Sequence, residues 1–287
     1  MSVGALRVPA DPHLPRSSAI LPLAAGENFK VAPLLAGRRA RFHLTSIYGF
    51  ARLADQLGDE TPGDRPALLD ELERQLHEAF DGEPSHPLLR RVAETVRECE
   101  LPYGPFLRLI EANRLDQRQG RYATFEELLG YCDLSANPVG ELVLHVFGSA
   151  TPERIALSDK VCSALQLAEH WQDVGEDYAR GRVYLPAEDL ERFAVGDGDL
   201  GAARSSDALR SLLAFEVTRA RQLLDAGAPL VGTLHGRARV AVAGYVGGGR
   251  AALDALDAGG HEVLAGSPRP SRGRRLRAAL HAYGAAA

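Results

Sequence analysis

The sequence predicts an all-α protein with a single domain. Three observations predict this class: helix-forming Ala, Leu, Arg and Glu dominate the chain, strand-like alternation is scarce, and no long linker divides its middle. Apolar residues make up 45% of the 287 residues and charged residues 25%, the balance of a globular protein. Aromatic residues make up only 6%, so Leu, Ala and Val must fill most of the core.

The individual helices are predicted from the signals at their ends. TPGDRP ends the first helix, DGEP ends the second, and a break at Gly120 follows the fourth. Thr124 followed by Glu126 and Glu127 resembles a capped helix start. Ser158 or Asp159 is expected to begin a long helix, and a loop with one short helix follows it. The predicted helices cover 36–60, 65–80, 86–98, 102–117, a segment from 124, 158–177, 205–226 and 236–258.

The two ends of the chain differ from its middle. Residues 1–24 are rich in proline and are expected to be a flexible arm, 25–265 to be the catalytic domain, and 266–287 to be a basic tail. The N-terminus does not resemble a signal peptide, and no apolar run reaches the roughly 18–20 residues that span a bilayer. Three scattered cysteines suit a reducing cytoplasm. The formal net charge of −5 argues against nucleic acid as a partner.

The first candidate functional motif lies in the first predicted helix. Tyr48, Arg52, Asp55 and Asp59 are separated by four, three and four residues, so their side chains share one helix face. Two carboxylates one turn apart can hold Mg²⁺, which prefers oxygen ligands. A solvated acidic face, with Arg52 pairing to Asp55, is the alternative interpretation.

The second candidate motif lies about a hundred residues later. Gln166, Glu169, Asp173 and Asp177 again share one helix face. Their helix carries many apolar residues, and a buried polar stripe costs free energy unless it is paired or binds a cation. If the two helices face each other, their oxygens could hold a diphosphate through several magnesium ions. The arginines beside the motifs could bind phosphate oxygens or form salt bridges; these are Arg52, Arg180 and Arg182.

These motifs resemble a known family. The pattern from Tyr48 to Glu60, the pattern from Gln166 to Asp177 followed by GRVYLP, and YCDLSANPVG at 131–140 resemble the trans-isoprenyl diphosphate synthases of the squalene/phytoene synthase group. The resemblance extends from about residue 27 to about residue 256. It implies a helical isoprenoid synthase fold with a central cavity, and a magnesium-dependent enzyme acting on an isoprenoid diphosphate.

The resemblance also implies roles for individual residues. Asp55, Asp59, Asp173 and Asp177 match the magnesium–diphosphate ligands, and Tyr48 and Arg52 join them as catalytic residues. With the polar residues of the second motif, the expected substrate-binding residues are Asn28, Tyr131, Ala136, Val139, Gly140, Gln166, Glu169, Arg182, Tyr184 and Tyr245. The chain departs from the family pattern at Gln56, Glu169 and Gln172.

Within the family, ENFKVAPLLA at 27–36, SANPVGELVLHVFG and WQDVGEDYARGRVYLP resemble the enzymes that form hydroxysqualene. That resemblance implies that presqualene diphosphate loses diphosphate and that water captures the rearranged cation. The residues weighed for directing water are His145, His170, Gln166 and Tyr184. No nicotinamide cofactor is expected, because the three glycines at 247–249 lie in a helical pattern and follow no strand.

Two other functions stay open. The protein could condense two prenyl diphosphates to presqualene or prephytoene diphosphate, or it could be a non-catalytic relative that acts as an assembly factor. We expect a cytoplasmic protein that works with other enzymes of its pathway. Its basic tail could also contact anionic lipid through five arginines: Arg269, Arg272, Arg274, Arg275 and Arg277.

Overall fold

The computed structural model describes Leu14 and residues 37–285. Within these residues the chain forms fourteen helices and no β-strand; Arg121 and Val183 make an isolated parallel bridge. This confirms the all-α fold class. The helices are α1 Arg38–Asp59, α2 Arg65–Asp81, α3 Pro87–Cys99, α4 Tyr103–Asp116, α5 Phe125–Ser135, α6 Asn137–Val146, α7 Pro152–Gln172, α8 Val174–Ala179, α9 Ala187–Arg192, α10 Asp197–Leu200, α11 Asp207–Gly227, α12 Leu230–Thr233, α13 Gly236–Ala258 and α14 Arg272–Ala285.

Two hydrophobic cores hold the helices together. Helices α1 to α4 enclose one core, in which the rings of Phe50 and Phe106 meet edge to face. Helices α5, α7, α11 and α13 surround the other, where Trp171 is fully buried. Helix α6 lies between the two groups and packs against α1, α4, α5 and α7. The two predicted acidic motifs therefore lie in different groups, with α6 beside both.

Local capping explains several of the helix starts. Thr124 accepts a hydrogen bond from the backbone N–H of Glu127, as the sequence predicted for the start of α5. Asp64 and Ser206 cap α2 and α11 in the same way. These side chains satisfy N–H groups that have no partner inside the helix.

The long helix expected from 158 or 159 through 177 needs two corrections. Helix α7 begins earlier, at Pro152, because Thr151 accepts from the backbone N–H of Arg154 and proline suits the first helical position. It also ends earlier, at Gln172. Asp173 leaves the helical conformation, with φ −109° and ψ 16°, and the separate helix α8 follows. The assumption of one continuous helix face through Asp177 was therefore wrong.

The C-terminal segment that the sequence set apart as a basic tail contains helix α14, which packs against α13. The two backbones approach closely at Gly247, where an added Cβ would lie 2.3 Å from the backbone nitrogen of Ala279. Gly247 belongs to the glycine triplet, which lies within α13. Among the described helices, none combines the length and the apolar character that crossing a membrane requires.

Candidate active site

A cavity of about 450 Å³ lies between the two groups of helices. Its wall includes residues from α1, α6, α7, α12 and α13. Ten of the predicted site residues line it: Tyr48, Arg52, Asp55, Ala136, Val139, Gly140, Gln166, Glu169, Asp173 and Tyr245. The structure thus brings residues of both acidic motifs to one cavity.

Helix α7 gives the cavity a polar part and an apolar part. Ser158, Val161, Cys162 and Leu165 line it from the first half of the helix, and Gln166 begins the polar half. Residues 158 to 173 extend over about 22 Å at 1.5 Å per residue, so the polar and apolar linings are separated along the cavity. A charged group and a long hydrocarbon chain could therefore occupy the same cavity at opposite ends.

Three carboxylates line the polar part. Asp55 comes from α1, whereas Glu169 and Asp173 come from the C-terminal end of α7. Asn113 on α4 orients Asp55 by donating from Nδ2 to Oδ1 over 3.2 Å. This arrangement follows from the three- and four-residue spacing of the motifs, which places Asp55 beside Tyr48 and Arg52 on one face.

Asp173 is the carboxylate whose environment most favours a cation. Its Oδ1 atom is buried and has no hydrogen-bond partner among the described residues. Burial raises the pKa of Asp173, and the nearby carboxylates of Glu176 and Asp177 raise it further. The guanidinium of Arg269 lies 3.9 Å from this oxygen and partly offsets these effects. A bound cation would stabilise the ionised form more strongly.

Magnesium fits the donor set at this end of the cavity. The lining offers carboxylate oxygens, which Mg²⁺ prefers, and one of them is buried without a hydrogen bond. Within the described part of the chain, no group of three or more His, Cys, Asp or Glu side chains is arranged to hold a metal ion by itself. That matches the usual behaviour of Mg²⁺, which takes one or two carboxylates together with water and substrate phosphates.

The second aspartate of each motif faces a different partner. Asp59 accepts two hydrogen bonds from the guanidinium of Arg182, one of 2.9 Å from Nη1 and one from Nη2, and this pairing raises the pKa of Arg182. Asp177 lines a separate, much smaller pocket, with its Oδ2 atom 3.7 Å from Nδ1 of His170. His170 and Asp177 are seven residues apart, close to two helical turns, so Asp177 lies on the side of His170 and not on that of Glu169.

A stack of aromatic rings lies behind the polar wall. The rings of His170 and Tyr184 are stacked with centroids 3.7 Å apart, and Tyr131 stacks on Tyr184 at 5.5 Å. Gln166 lines the cavity, and its Nε2 atom forms a 3.1 Å hydrogen bond with Nε2 of His170. Tyr131 and Tyr184 were predicted to contact substrate, but neither lines the cavity. Gln166 connects their stack to the cavity through His170.

Sequence reasoning missed two polar residues of this region. Asp116, at the end of α4, accepts a 2.9 Å hydrogen bond from the Tyr131 hydroxyl, and burial raises the pKa of Asp116 to about 7. Arg269 lines the cavity although its segment was assigned to the tail. The signals were weak, because Asp116 carries no motif and Arg269 is one of five arginines in a basic stretch.

The remaining predicted residues also have defined positions. Arg52 lines the cavity, and its Nη2 donates to Glu60 over 2.8 Å; the negative charges of Glu60 and Asp55 both act to raise the pKa of Arg52, against the effect of burial. His145 does not line the cavity, so Gln166 is the one residue weighed for directing water that does so in the described chain. Asn28 lies outside the described residues.

Comparisons with known proteins agree with this geometry. Residues 23–277 match the model of the squalene/phytoene synthase family. The chain is 37% identical over 208 residues to a hydroxysqualene synthase of Rhodopseudomonas palustris, covering 71% of this chain and 70% of that protein. It is 31% identical over 266 residues to phytoene synthase 1 of Solanum lycopersicum, covering 90% of this chain. The chain spans 64% of the length of that phytoene synthase.

Solved structures similar to this chain include a squalene synthase and a dehydrosqualene synthase. The squalene synthase HpnC from Alicyclobacillus acidocaldarius superimposes with a TM-score of 0.78 and 46% identity, covering 84% of this chain and 92% of that protein. A dehydrosqualene synthase in complex with a ligand superimposes with a TM-score of 0.85 at 24% identity over 94% of this chain and 95% of that one, a likeness of fold alone. The chain therefore belongs to the squalene/phytoene synthase family, whose members are enzymes that process isoprenoid diphosphates.

Proposed function

We propose that this protein is a magnesium-dependent hydroxysqualene synthase, a carbon–oxygen lyase of hopanoid and squalene biosynthesis. It would convert presqualene diphosphate and water to hydroxysqualene and diphosphate. The observation that carries the proposal is the single cavity in which three carboxylates at one end face an apolar lining that continues along α7. Similarity to a hydroxysqualene synthase and to HpnC supports the choice of product.

The polar end of the cavity would bind the diphosphate. Asp55, Glu169 and Asp173 would hold magnesium, which neutralises the charge that develops on a leaving diphosphate. Arg269 and Arg52 line the same region and would donate to phosphate oxygens. Asp59 and Asp177 remain proposed ligands. To bind the metal, Asp59 would move from Arg182 and Asp177 would move from His170.

The apolar part would control what happens to the cation. Loss of diphosphate leaves a cyclopropylcarbinyl cation, and side chains such as Val143, Val161 and Leu165 would keep water away while it rearranges. One water must then add to the final allylic cation and give up a proton. We assign its positioning to Gln166, which lines the cavity and is held by His170. The overall reaction is redox-neutral, so no nicotinamide cofactor is needed.

Product analysis tests this proposal directly. The purified protein is incubated with presqualene diphosphate and Mg²⁺ without a reductant, and hydroxysqualene and diphosphate are the expected products. Asp173→Asn should lower kcat by roughly a hundredfold or more, as loss of a group that stabilises developing charge does. Glu191→Gln is the control for loss of one carboxylate, because Glu191 is exposed and does not line the cavity. A protein that leaves presqualene diphosphate unchanged would refute the proposal.

The second candidate function is condensation of two prenyl diphosphates, as in a phytoene or presqualene synthase. The similarity to phytoene synthases along 90% of the chain favours it. Incubation with Mg²⁺ and farnesyl or geranylgeranyl diphosphate alone distinguishes the two functions. A thirty- or forty-carbon product under these conditions would establish condensation. A non-catalytic assembly factor would tolerate Asp55→Ala and Asp173→Ala without loss of biological function.

We further propose that the protein works in the cytoplasm beside a membrane, with other enzymes of its pathway as partners. The thirty-carbon chain of the proposed substrate is scarcely soluble in water, so the substrate must come from a lipid phase or from another protein. Cell fractionation checks the location: the protein should appear in the cytoplasmic and membrane-peripheral fractions and should be released from membranes by salt.

A further inference from the structure

Helix α14 presents an apolar stripe to solvent. Leu276, Leu280 and Tyr283 are 64%, 66% and 40% exposed and are the exposed large hydrophobic residues of the described chain. They are separated by four and three residues, so they lie on one face of the helix. A contiguous apolar face on the surface indicates an interaction site more often than a single exposed leucine does.

The opposite face of α14 fixes the helix to the domain. Ala282 is buried, and the backbone of α14 around Ala279 lies so close to Gly247 of α13 that no side chain would fit between them. At the edge of the stripe, the guanidinium of Arg239 on α13 donates to the carbonyl oxygen of Tyr283 over 2.8 Å and covers one face of its ring, which leaves Tyr283 40% exposed. The apolar stripe therefore belongs to a folded, docked helix that holds it outward.

The charge around the stripe has one sign. Helix α14 contains four arginines and no acidic residue, whereas the whole chain has a net charge of −5. Arg272, Arg274 and Arg277 are exposed. Arg272 lies one turn before Leu276 on the stripe itself, and Arg277 lies at its flank. An amphipathic helix with arginines around an apolar face is typical of proteins that lie on the surface of an anionic bilayer.

We propose that this arginine-flanked stripe, Leu276, Leu280 and Tyr283 with Arg272 and Arg277, docks the protein on an anionic lipid bilayer. The leucines would enter the boundary between headgroups and acyl chains, and Tyr283 would lie at the headgroup level, which tyrosine favours. The arginines would contact the anionic headgroups. A second copy of the chain fits less well, because two such faces in a symmetric contact would bring clusters of like charge together.

The position of the helix connects docking to the cavity. Arg269, three residues before α14, lines the cavity beside Asp173. A bilayer bound at the start of α14 would therefore lie near the polar end of the cavity. Transfer of a lipid-soluble diphosphate from bilayer to cavity rests on the proposed function, whereas docking itself does not.

Vesicle binding by the full-length protein, without substrate or Mg²⁺, tests the docking. The protein is sedimented with vesicles of phosphatidylcholine alone or mixed with phosphatidylglycerol. We expect binding to the anionic vesicles, weakened by salt, and at least about tenfold less binding to the neutral ones. Leu276→Ser combined with Leu280→Ser should lower the partition coefficient about tenfold or more, and melting curves should show that this exposed pair leaves the fold intact.

A pair of charge reversals provides the matched control. Arg277→Glu should weaken binding to anionic vesicles about tenfold. Arg97→Glu makes the same change in charge at an exposed position of α3, a helix that packs against α1 and α2, and it should weaken binding less than about threefold. Equal effects of the two reversals, equal binding to both kinds of vesicle, or undiminished binding of the leucine variant would overturn the proposal. The proposal would also be overturned if the wild-type protein formed a dimer and did not bind vesicles, and if the leucine variant were monomeric.

Discussion

Gly140 offers a direct test of the contact between α6 and α7 that forms part of the cavity wall. A Cβ atom at this position would lie 2.3 Å from Oγ of Ser158 and 2.5 Å from Sγ of Cys162. Both are γ atoms of short side chains on α7, so relief of the clash requires both side chains to rotate about χ1 or the helix to shift. Overpacking of this kind typically costs about 1–3 kcal/mol. We therefore expect Gly140→Ala to lower the free energy of unfolding by about 2 kcal/mol.

The control is the same substitution at an open helical glycine. Gly130 lies inside α5, and nothing lies within 4 Å of the position of its added Cβ. Gly130→Ala should raise the free energy of unfolding by about 0.5–1 kcal/mol, because alanine loses less conformational entropy in a helix. Urea unfolding of the two variants, at matched buffer and temperature, measures the difference.

A rescue experiment identifies the cause of the loss. Ser158→Ala and Cys162→Ala remove the two clashing atoms, and the Cβ of residue 158 would be left at an ordinary distance of 3.6 Å. In the triple variant the effect of Gly140→Ala should therefore largely disappear, which appears as a favourable coupling energy of about 1–2 kcal/mol. Stabilisation of Gly140→Ala like that of Gly130→Ala, or the absence of coupling, would refute the close packing of α6 on α7.

Three further changes probe separate parts of the molecule. Burial raises the pKa of Glu216 to about 8 from 4.5, so wild-type stability should fall as pH rises between these values. Glu216→Gln should therefore stabilise the protein by a few kcal/mol at about pH 9 and lose this gain near pH 4.5; denaturant unfolding across pH checks both. Asp59→Asn breaks the two-bond pair with Arg182 and should cost about 1–2 kcal/mol without Mg²⁺, more than Asp55→Asn does; equal urea midpoints would contradict this. Gly247→Ala forces α13 and α14 apart and should speed proteolysis within α14, whereas unchanged cleavage would argue against their contact.

The helices and the polar part of the cavity lining could be predicted from the sequence because both depend on local spacing, whereas the cavity itself and four of its lining residues were implied by the family resemblance: Ala136, Val139, Gly140 and Tyr245. Gln166, Glu169 and Asp173 follow one another at three and four residues, and all three line the cavity. Tyr48, Arg52 and Asp55 do the same on α1. A regular helix turns such spacing into a shared face, so neither set needed knowledge of the tertiary fold.

The errors occurred where the backbone leaves the helix or where a partner is distant in sequence. A single non-helical residue, Asp173, separates α7 from α8. Spacing alone cannot predict this break. The pairing of Asp59 with Arg182 joins residues 123 positions apart, and the contact between Arg269 and Asp173 depends on how the C-terminal segment crosses the domain.

The two aspartates that do not line the cavity are connected through Arg182. Its guanidinium binds the carboxylate of Asp59 on α1, and its backbone N–H donates to the carbonyl oxygen of Asp177 over 2.9 Å. Arg182 thus links the end of the first motif to the end of the second, whereas Asp55 and Asp173 line the cavity between them. Asp59 contributes its carboxylate to this link, whereas Asp177 contributes its backbone carbonyl oxygen, which any residue at this position would supply. A metal ion that recruited the carboxylate of Asp59 would compete with Arg182 for its oxygens, and metal binding would then be linked to the contact between Asp59 and Arg182.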